Sequence, residues 1–213
     1  MSTPFSVTAA TLTEVRPLFE RHHGYGSVGA AATYVFAVRE SGGIVAAFVW
    51  QPPAPGAARS VCSELPAAVL SLSRMVAVPS TERELRHISK PLRRQMRALI
   101  DRTRWPVLVT YSDEGQGHTG HVYKCSGWQP TLKARRVFYV GDDGRRLSPY
   151  SNGRHRARSL IRGGVTTLQR WEKWACEPGA VCAHLAAGGW ERVECPGKRW
   201  KSGAQAYRWR KAL

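Results

Sequence analysis

The sequence is poor in acidic residues and contains no long apolar segment. Its 213 residues include 32 Lys and Arg but only 15 Asp and Glu, a formal net charge of +17. Solubility alone needs a much smaller charge, so the excess predicts a polyanionic partner. No apolar run is long enough for a membrane-spanning helix, and the first residues lack the features of a secretory signal. We therefore expect a cytoplasmic protein that does not associate with membranes.

Cysteine pairs at redox or metal-binding spacing are also missing. The five cysteines form an odd set without a C-x-x-C pair, which argues against a disulfide framework and against a zinc finger. The group Cys176, Cys182, His184 and Cys195 contains zinc-ligating side chains, but its spacing matches no common structural site. Reduced, mostly structural thiols are the interpretation we favour.

Apolar periodicity predicts one mixed α/β domain over residues 1–213. A first helix within residues 8–23, kinked or broken at Pro17, precedes a β-hairpin, and residues 51–66 read as a surface loop. The predicted order continues with a buried strand, a helix, a second buried strand, a short helix and a last strand, at residues 68–78, 89–100, 105–113, 118–127 and 132–140. Pro91 belongs in a first helical turn, so the middle helix is expected to start near Ser89, its cap.

The turn between the strand ending at Val78 and the helix at Ser89 has the chemistry of a phosphate site. Free amides and the helix dipole attract anions at such a turn, and Arg83, Arg86 and Lys90 add positive charge. No Gly-rich phosphate-binding fingerprint accompanies it, so the signal from these residues alone is weak.

Two segments combine basic and aromatic residues, the composition that suits phosphates and exposed bases. Residues 141–175 read as an Arg-rich insertion, and residues 186–213 as a basic, aromatic C-terminal segment. A solvated basic face with inward aromatics is the alternative, but the total charge favours double-stranded DNA as partner. The expected DNA-binding residues are Arg145, Arg146, Arg154, Arg156, Arg158, Arg162, Lys198, Arg199 and Lys201.

Three residues have the right chemistry for acid/base catalysis or for iron. His22 and His23 supply two imidazoles, and Asp113 supplies a carboxylate at the end of a buried strand, where ligands often gather. A helix C-terminal His pair that only favours the dipole is the alternative for the histidines. Arg74 lies inside a buried strand, where an ion pair with Asp113 or a cofactor phosphate would explain its charge.

The order of elements resembles the acetyltransferase fold of the GNAT superfamily, a mixed, mostly antiparallel sheet flanked by helices. The resemblance implies acetyl-CoA as cofactor, with its pantetheine arm held at a splayed central strand and its pyrophosphate on the next loop. The implied cofactor residues are Arg74, Met75, Val76, Ala77, Val78, Arg83, Arg86, Ser89, Lys90 and Tyr123. Tyr123 is also an implied general acid or donor to the cofactor thiol, with a packed aromatic as the alternative; His118 is a weaker candidate.

The motifs LSRMVAV, YSDEGQGHTGHVYKCSGW and GWERV, and the N-terminal HHGYG, resemble phage Mom proteins over roughly residues 15–210. That resemblance implies transfer of a carbamoylmethyl group to the exocyclic amine of adenine in phage DNA, which protects the DNA from host restriction enzymes. In that family HHGYG falls at a His-Tyr site, which adds Tyr25 to the candidates above. The expected catalytic residues are therefore His22, His23, Tyr25, Asp113 and Tyr123, with iron at His23 and Asp113, and the resemblance implies residence in the host cytoplasm.

Two other functions are compatible with the residues. A conventional acetyl-CoA-dependent N-acetyltransferase would act on another acceptor, although the net charge disfavours cationic ones. A non-catalytic DNA-binding protein on the same fold would need no cofactor. A flipped adenine would need an aromatic partner, for which Tyr25 and Trp50 are the candidates. A homodimer is among the oligomeric states that the sequence allows.

Overall fold

The computed structural model describes residues 5–23, 32–78, 85–140, 146–147, 161–199 and 205–212. The five helices in this part of the chain are α1 (Leu12–His22), α2 (Pro55–Val61), α3 (Leu85–Arg102), α4 (His121–Ser126) and α5 (Val181–Ala187). The strands are β1 (Ser6–Ala9), β2 (Tyr34–Glu40), β3 (Gly43–Gln51), β4 (Val69–Ala77), β5 (Val107–Asp113), β6 (Gln129–Val140), β7 (Arg146–Leu147), β8 (Ile161–Trp174), β9 (Trp190–Arg199) and β10 (Gln205–Lys211).

Eight strands form one sheet in the order β1-β2-β3-β4-β5-β8-β6-β7. Every neighbouring pair is antiparallel except β4 and β5, which run parallel. The expected mixed, mostly antiparallel sheet with flanking helices is confirmed, as are the β2–β3 hairpin and the short helix that ends at Gly127. β9 and β10 form a separate two-stranded sheet.

Helices cover both faces of the large sheet. α3 and α4 pack with Trp50, Leu72, Leu108 and Trp171 in the main core on one face. α1 packs over β2, β3 and β4 on the other face, while α2 and α5 cover the starts of β4 and β5 there. The first of these faces is called the α3 face below, and the second the α1 face. Within the described residues, no helix has both the length and the apolar character needed to cross a bilayer.

Pro17 was expected to kink or break the first helix, and the expected break is wrong. α1 runs without interruption through Pro17 from its N-cap, Thr11, whose side chain accepts from the Glu14 amide while Glu14 caps the Thr11 amide in return. Val15 and Phe19 are fully buried on the sheet. The capping box and this buried stripe outweigh the backbone hydrogen bond that a proline removes.

The start of α3 also differs from the prediction. The helix begins at Leu85, so Ser89 is an interior residue and not the cap, and Pro91 lies in the second turn. An interior proline costs about 3 kcal/mol. Burial of the apolar stripe at Ile88, Leu92 and Met96 offsets that cost.

Two other segments have more structure than predicted. Residues 51–66, expected as a surface loop, include α2, and Ala58, Cys62 and Leu65 are buried in the core under α5. Within the expected Arg-rich insertion at 141–175, residues 161–174 form β8, which lies between β5 and β6 in the sheet. That part is an integral strand, because side chains on both of its faces are buried, among them Thr166 on the α1 face and Trp171 on the α3 face.

Candidate active site

The site is built around a fork between β4 and β5. The two strands pair only at their starts, Val69–Ser71 against Val107–Val109. Beyond this point β4 continues along β3 as far as Ala77, while β5 continues along β8 as far as Asp113. Parallel neighbours that separate in this way leave an edge of backbone N–H and C=O groups on each side of a cleft.

A bulge in β4 decides which side chains face which side of the fork. Val49 pairs with Arg74 but Trp50 pairs with Leu72, so Ser73 is an extra residue in β4. The alternation therefore changes, and Met75 and Ala77 join Leu72 on the α3 face. Val76 packs on the α1 face, and Arg74 shares that face.

His23 lies beside Arg74 on the α1 face, at the C-cap of α1. Its ring contacts Phe19, with the centroids 5.7 Å apart. Burial, and then the nearby charges of Arg74 and His118, lower the pKa of His23 from 6.5 to about 4. The imidazole is therefore neutral at neutral pH and free of a proton on one ring nitrogen, as a proton acceptor must be.

Asp113 ends β5 on the same face and is 5 % exposed. Its carboxylate accepts from the Thr166 hydroxyl, from the Gly115 amide at 3.0 Å and from the Gln116 side chain at 3.3 Å. These donors fix the carboxylate at the open end of the fork. The following loop returns close to it, because the His118 amide donates to the Asp113 carbonyl.

Tyr123 reaches the closed end of the fork from the α3 face. Its phenol hydrogen-bonds Thr110, whose hydroxyl donates to the Leu72 carbonyl at 3.0 Å. The Thr110 hydroxyl has a single proton, and it gives this proton to the Leu72 carbonyl. Thr110 therefore accepts the hydrogen bond from Tyr123, and the Tyr123 phenol is the donor. The ring packs against Trp128 and Trp171, and burial raises the pKa of Tyr123. The phenol therefore stays protonated at neutral pH, in a dry environment.

The structure does not bring all the candidates together. His22 ends α1 next to His23, and Tyr123 lies on the opposite face of the sheet from His23, Arg74 and Asp113. Tyr25 and Arg83 lie outside the described residues. Ten other basic candidates lie outside the described part of the chain, either entirely or with their side chains. They are Arg86, Arg145, Arg146, Arg154, Arg156, Arg158, Arg162, Lys198, Arg199 and Lys201. Lys90 is exposed on α3, and Ser89 is buried, its carbonyl accepting from Ser126.

The expectation that Trp50 is available to stack on a base is wrong, and Trp171 turns inward, as the alternative interpretation of the basic segments allowed. Trp50 is fully buried and stacks on Trp128, with the centroids 6.3 Å apart, so it does not face a base. Trp171, part of the predicted basic and aromatic segment, is 6 % exposed, and its indole donates to Ser112 in the core. Both rings are therefore part of the packed core.

The described residues do not fit the expected iron site or a zinc site. No group of three His, Cys, Asp or Glu among them is close enough to hold a metal ion. The Asp113 oxygens already accept hydrogen bonds, and His23 lies near the charge of Arg74, which repels a cation. We therefore derive no step through a metal.

Thr110 and Thr166 are site residues that sequence reasoning missed. Thr110 had a detectable signal, because it is a polar residue in the apolar strand WPVLVTYSD, and buried polar groups need partners. Thr166 had none, because β8 itself was not predicted and its contact with Asp113 spans 53 positions.

One family matches this chain. Its model covers residues 4–165, which is more than half of the sequence and includes every strand of the fork. The chain belongs to the Mom protein family. The match begins before the motif resemblance at residues 15–210 and ends within β8, so it leaves out α5, β9 and β10. No protein of curated function matches the sequence.

Solved structures of acetyltransferases share the fold. A probable acetyltransferase from Staphylococcus epidermidis is 7% identical, with a TM-score of 0.53, and the match covers 81% of this chain and 100% of that chain. An agmatine N-acetyltransferase is 12% identical, with a TM-score of 0.50, and the match covers 80% of this chain and 100% of that chain. YncA, a putative acetyltransferase from Salmonella typhimurium solved with its cofactor acetyl-CoA, is 10% identical, with a TM-score of 0.49. That match covers 83% of this chain and 96% of that chain. The matches with TM-scores of 0.53 and 0.50 show that this Mom family member shares the acetyltransferase fold.

Proposed function

We propose that this Mom family protein is a transferase that modifies the exocyclic amine of adenine in DNA, with acetyl-CoA as cofactor. The observation that carries the proposal is the open fork between β4 and β5, with His23, Arg74 and Asp113 on one face and Tyr123 on the other. The family resemblance implies that the final modification is a carbamoylmethyl group, and that it protects phage DNA from host restriction. Acetyl-CoA would supply only the two-carbon unit of that group, so an ammonia donor and a two-electron oxidant would have to act as co-reactants.

The free edge of β4 suits the pantetheine arm of the cofactor. Residues Met75–Val78 lie beyond the last pairing of β4 with β5, so their backbone groups on that side can bond the amides of an extended arm. This is the fit expected for acetyl-CoA, which would bring the acyl carbon to the fork. Arg83, Arg86, Ser89 and Lys90 remain the proposed contacts for its phosphates.

Asp113 and His23 are the proposed proton acceptors on the acceptor side. An exocyclic amine must lose a proton when it forms a bond to carbon, and a fixed carboxylate or a neutral imidazole can take that proton. Burial, and then the nearby charge of Arg74, keep His23 neutral by lowering its pKa. Thr110 and Tyr123 are assigned to the cofactor side, where their hydroxyl chain closes the fork.

Adenine in a duplex has to leave the stack before this site can reach its amine, because that amine is paired in the helix. Neither Trp50 nor Trp171 is exposed enough to receive the base. Tyr25 remains a proposed stacking partner.

The test is mass spectrometry of nucleosides from plasmid DNA isolated from cells that express the chain. Asp113→Asn keeps the size and one acceptor oxygen but removes the negative charge. Glu114→Gln is the matched control, since Glu114 is the next acidic residue and forms an exposed ion pair with Lys133 at 2.7 Å.

We expect a heavier deoxyadenosine with the wild type and with Glu114→Gln, and at least a hundredfold less with Asp113→Asn, the scale of a lost acid/base catalyst. Unmodified DNA from cells with soluble wild-type protein would overturn the proposal. Acetyl-CoA turnover with another amine would then identify a conventional acetyltransferase.

A further inference from the structure

β6 and β8 extend well past the end of β5. The last β5 residue, Asp113, pairs with Leu168, whereas β8 continues back to Ile161 and stays paired with β6 as far as Val140. Seven residues of strand span about 20 Å. Residues 134–140 and 161–167 thus form an extension, called the β-arm below, that starts beside the candidate catalytic carboxylate. It is two-stranded until β7 pairs with Tyr139 and Val140 at its far end.

The β-arm has its own packing. Gly163 is an extra residue opposite the Phe138–Tyr139 step, so the arm contains a bulge. Phe138 lies over Gly163 and Gly164, and a Cβ on Gly163 would overlap the Phe138 ring. An aromatic ring over strand glycines stabilises a ribbon that has little core beneath it.

Exposed cations lie on both faces of the β-arm at its base. Arg135 pairs with Thr167 on the α3 face, while Arg136 pairs with Thr166 on the α1 face, which is the face of Asp113. Both arginines are exposed. By contrast, Arg170, which lies further along β8 and pairs with Tyr111, forms a largely buried ion pair with Glu172 at 2.8 Å.

An exposed aromatic ring completes the α1 face of this region. Tyr111 precedes Asp113 by two positions in β5, so both side chains point to the same face, about 7 Å apart along the strand. Tyr111 is 38% exposed although its strand is otherwise buried. Its phenol bonds Arg170 and lies within the field of Arg136.

We propose that Arg135, Arg136 and Tyr111 form a DNA-strand contact in which the β-arm holds backbone phosphates and Tyr111 stacks on a base beside the target adenine. A two-stranded ribbon fits a DNA groove, arginine pairs with phosphates, and an exposed ring next to a cation suits a base followed by its phosphate. The net charge of +17 gives the whole chain the complementary sign. This inference rests on the proposed function for the identity of the target base.

Binding of a labelled DNA oligonucleotide that contains one adenine tests the contact, with single-stranded and duplex forms titrated over a range of salt concentrations. Arg135→Gln/Arg136→Gln removes two cations from the β-arm. Arg94→Gln/Arg97→Gln is the charge-matched control, because both of these arginines are exposed on α3. Circular dichroism and thermal unfolding establish that each variant is folded.

Each phosphate contact adds about 0.9 to the slope of log K against log salt for a duplex and about 0.7 for a single strand. The β-arm variant should therefore weaken binding about tenfold or more in moderate salt and flatten the duplex slope by about 1.8, whereas the α3 control keeps the wild-type slope. Equal effects in the two variants would overturn the proposal, since the contribution would then be net charge alone.

Tyr111 is tested with two substitutions in the single-strand assay. Tyr111→Ala removes the ring, while Tyr111→Phe keeps it and removes only the hydroxyl that bonds Arg170. We expect about tenfold weaker binding for Ala and near wild-type binding for Phe, as stacking requires. Equal losses in both variants would assign the effect to the Arg170 contact and reject stacking.

The outcomes separate this proposal from the proposed function. Loss of binding in the β-arm variant, with a wild type that leaves adenine unmodified, would support the DNA contact and reject the modification. A wild type that modifies adenine, together with a β-arm variant that binds and modifies DNA normally, would reject the β-arm contact alone.

Discussion

At the scale of single residues, the environment of His23 is the most unusual feature of the site. A histidine next to an arginine and a second histidine, and half-buried as well, has no reason to carry a proton. Asp113 is the opposite case, because its carboxylate accepts from three donors. In the proposed function, the neutral imidazole and the fixed carboxylate would therefore take different parts in a proton transfer.

The lowered pKa of His23, about 4 in place of 6.5, predicts how stability depends on pH. Between these values the unfolded chain binds a proton that the folded chain excludes, so stability falls as the pH falls through this window. His23→Gln should lose less stability than the wild type between pH 7 and pH 4.5, as measured by urea unfolding. His121→Gln, which removes an exposed imidazole on α4, is the control.

Equal losses of stability in His23→Gln and the wild type over that window would contradict this prediction. They would show that folding does not lower the pKa of His23, and its proposed role as a neutral base at physiological pH would be rejected.

Residue types could be predicted from the sequence more readily than residue environments. The side chain of Asp113 stands at the end of a buried strand, as expected, because alternation and strand length are local properties. The roles of Trp50 and Trp171 were not predictable in the same way. Whether an aromatic faces solvent or core depends on what covers it, and Trp171 is covered by Gly120 from a different element.

At the scale of elements, α4 shows how a short helix is held in one place. It follows Gly120, whose φ is +71°, and a Cβ at this position would overlap the Trp171 ring. The glycine thus serves a left-handed backbone and a close approach together. Ser126 at the other end of α4 donates to the Ser89 carbonyl of α3 at 3.2 Å. Tyr123 reaches the fork because both ends of its helix are fixed.

Two glycine substitutions separate these effects. Gly117 also has positive φ, +73°, but nothing lies near a Cβ built on it. Gly117→Ala should cost about 1–2 kcal/mol for the left-handed backbone alone. Gly120→Ala should cost about 1–3 kcal/mol more, because Trp171 has to move. Thermal and urea unfolding measure both, and equal costs would show that the Gly120 contact is unimportant.

Two features that the sequence failed to predict, β8 and the start of α3, depend on distant partners. β2, β3, β4, β5 and α4 follow from periodicity, hairpin spacing and a C-terminal glycine. β8 did not, since its arginines and paired glycines resemble a loop until β5 and β6 are placed on either side of it. The start of α3 was missed for a related reason, because tertiary packing overrides the local preference of Pro91 for a first turn.

At the scale of the whole molecule, the fold and the charge indicate two different ligands. The fork belongs to the α/β scaffold shared with acetyltransferases, whereas the excess of Lys and Arg has no use in holding that scaffold together. The proposed cofactor in the fork and the proposed DNA contact on the β-arm would use separate surfaces, so the two ligands would be able to bind at the same time.

Cofactor binding is measurable on the whole protein without any knowledge of the acceptor. Acetyl-CoA at about a hundredfold its Kd should raise the free energy of unfolding by about 2.7 kcal/mol, seen as a higher unfolding temperature. ATP is the control ligand, because it has the adenosine and phosphates but no pantetheine arm. An equal rise with both ligands would indicate anion binding to the basic surface and would exclude the β4 edge as the main contact.

The position of β8 between β5 and β6 also affects how the chain folds while it is being synthesised. β6 emerges from the ribosome before β8, yet it contacts the body of the sheet only through β8. Until residue 174 has left the exit tunnel, β5 therefore keeps an unpaired edge and β6 has no neighbour in the body of the sheet. A nascent chain shorter than this exposes strand edges to other chains, so early termination or slow translation in this region favours aggregation over folding.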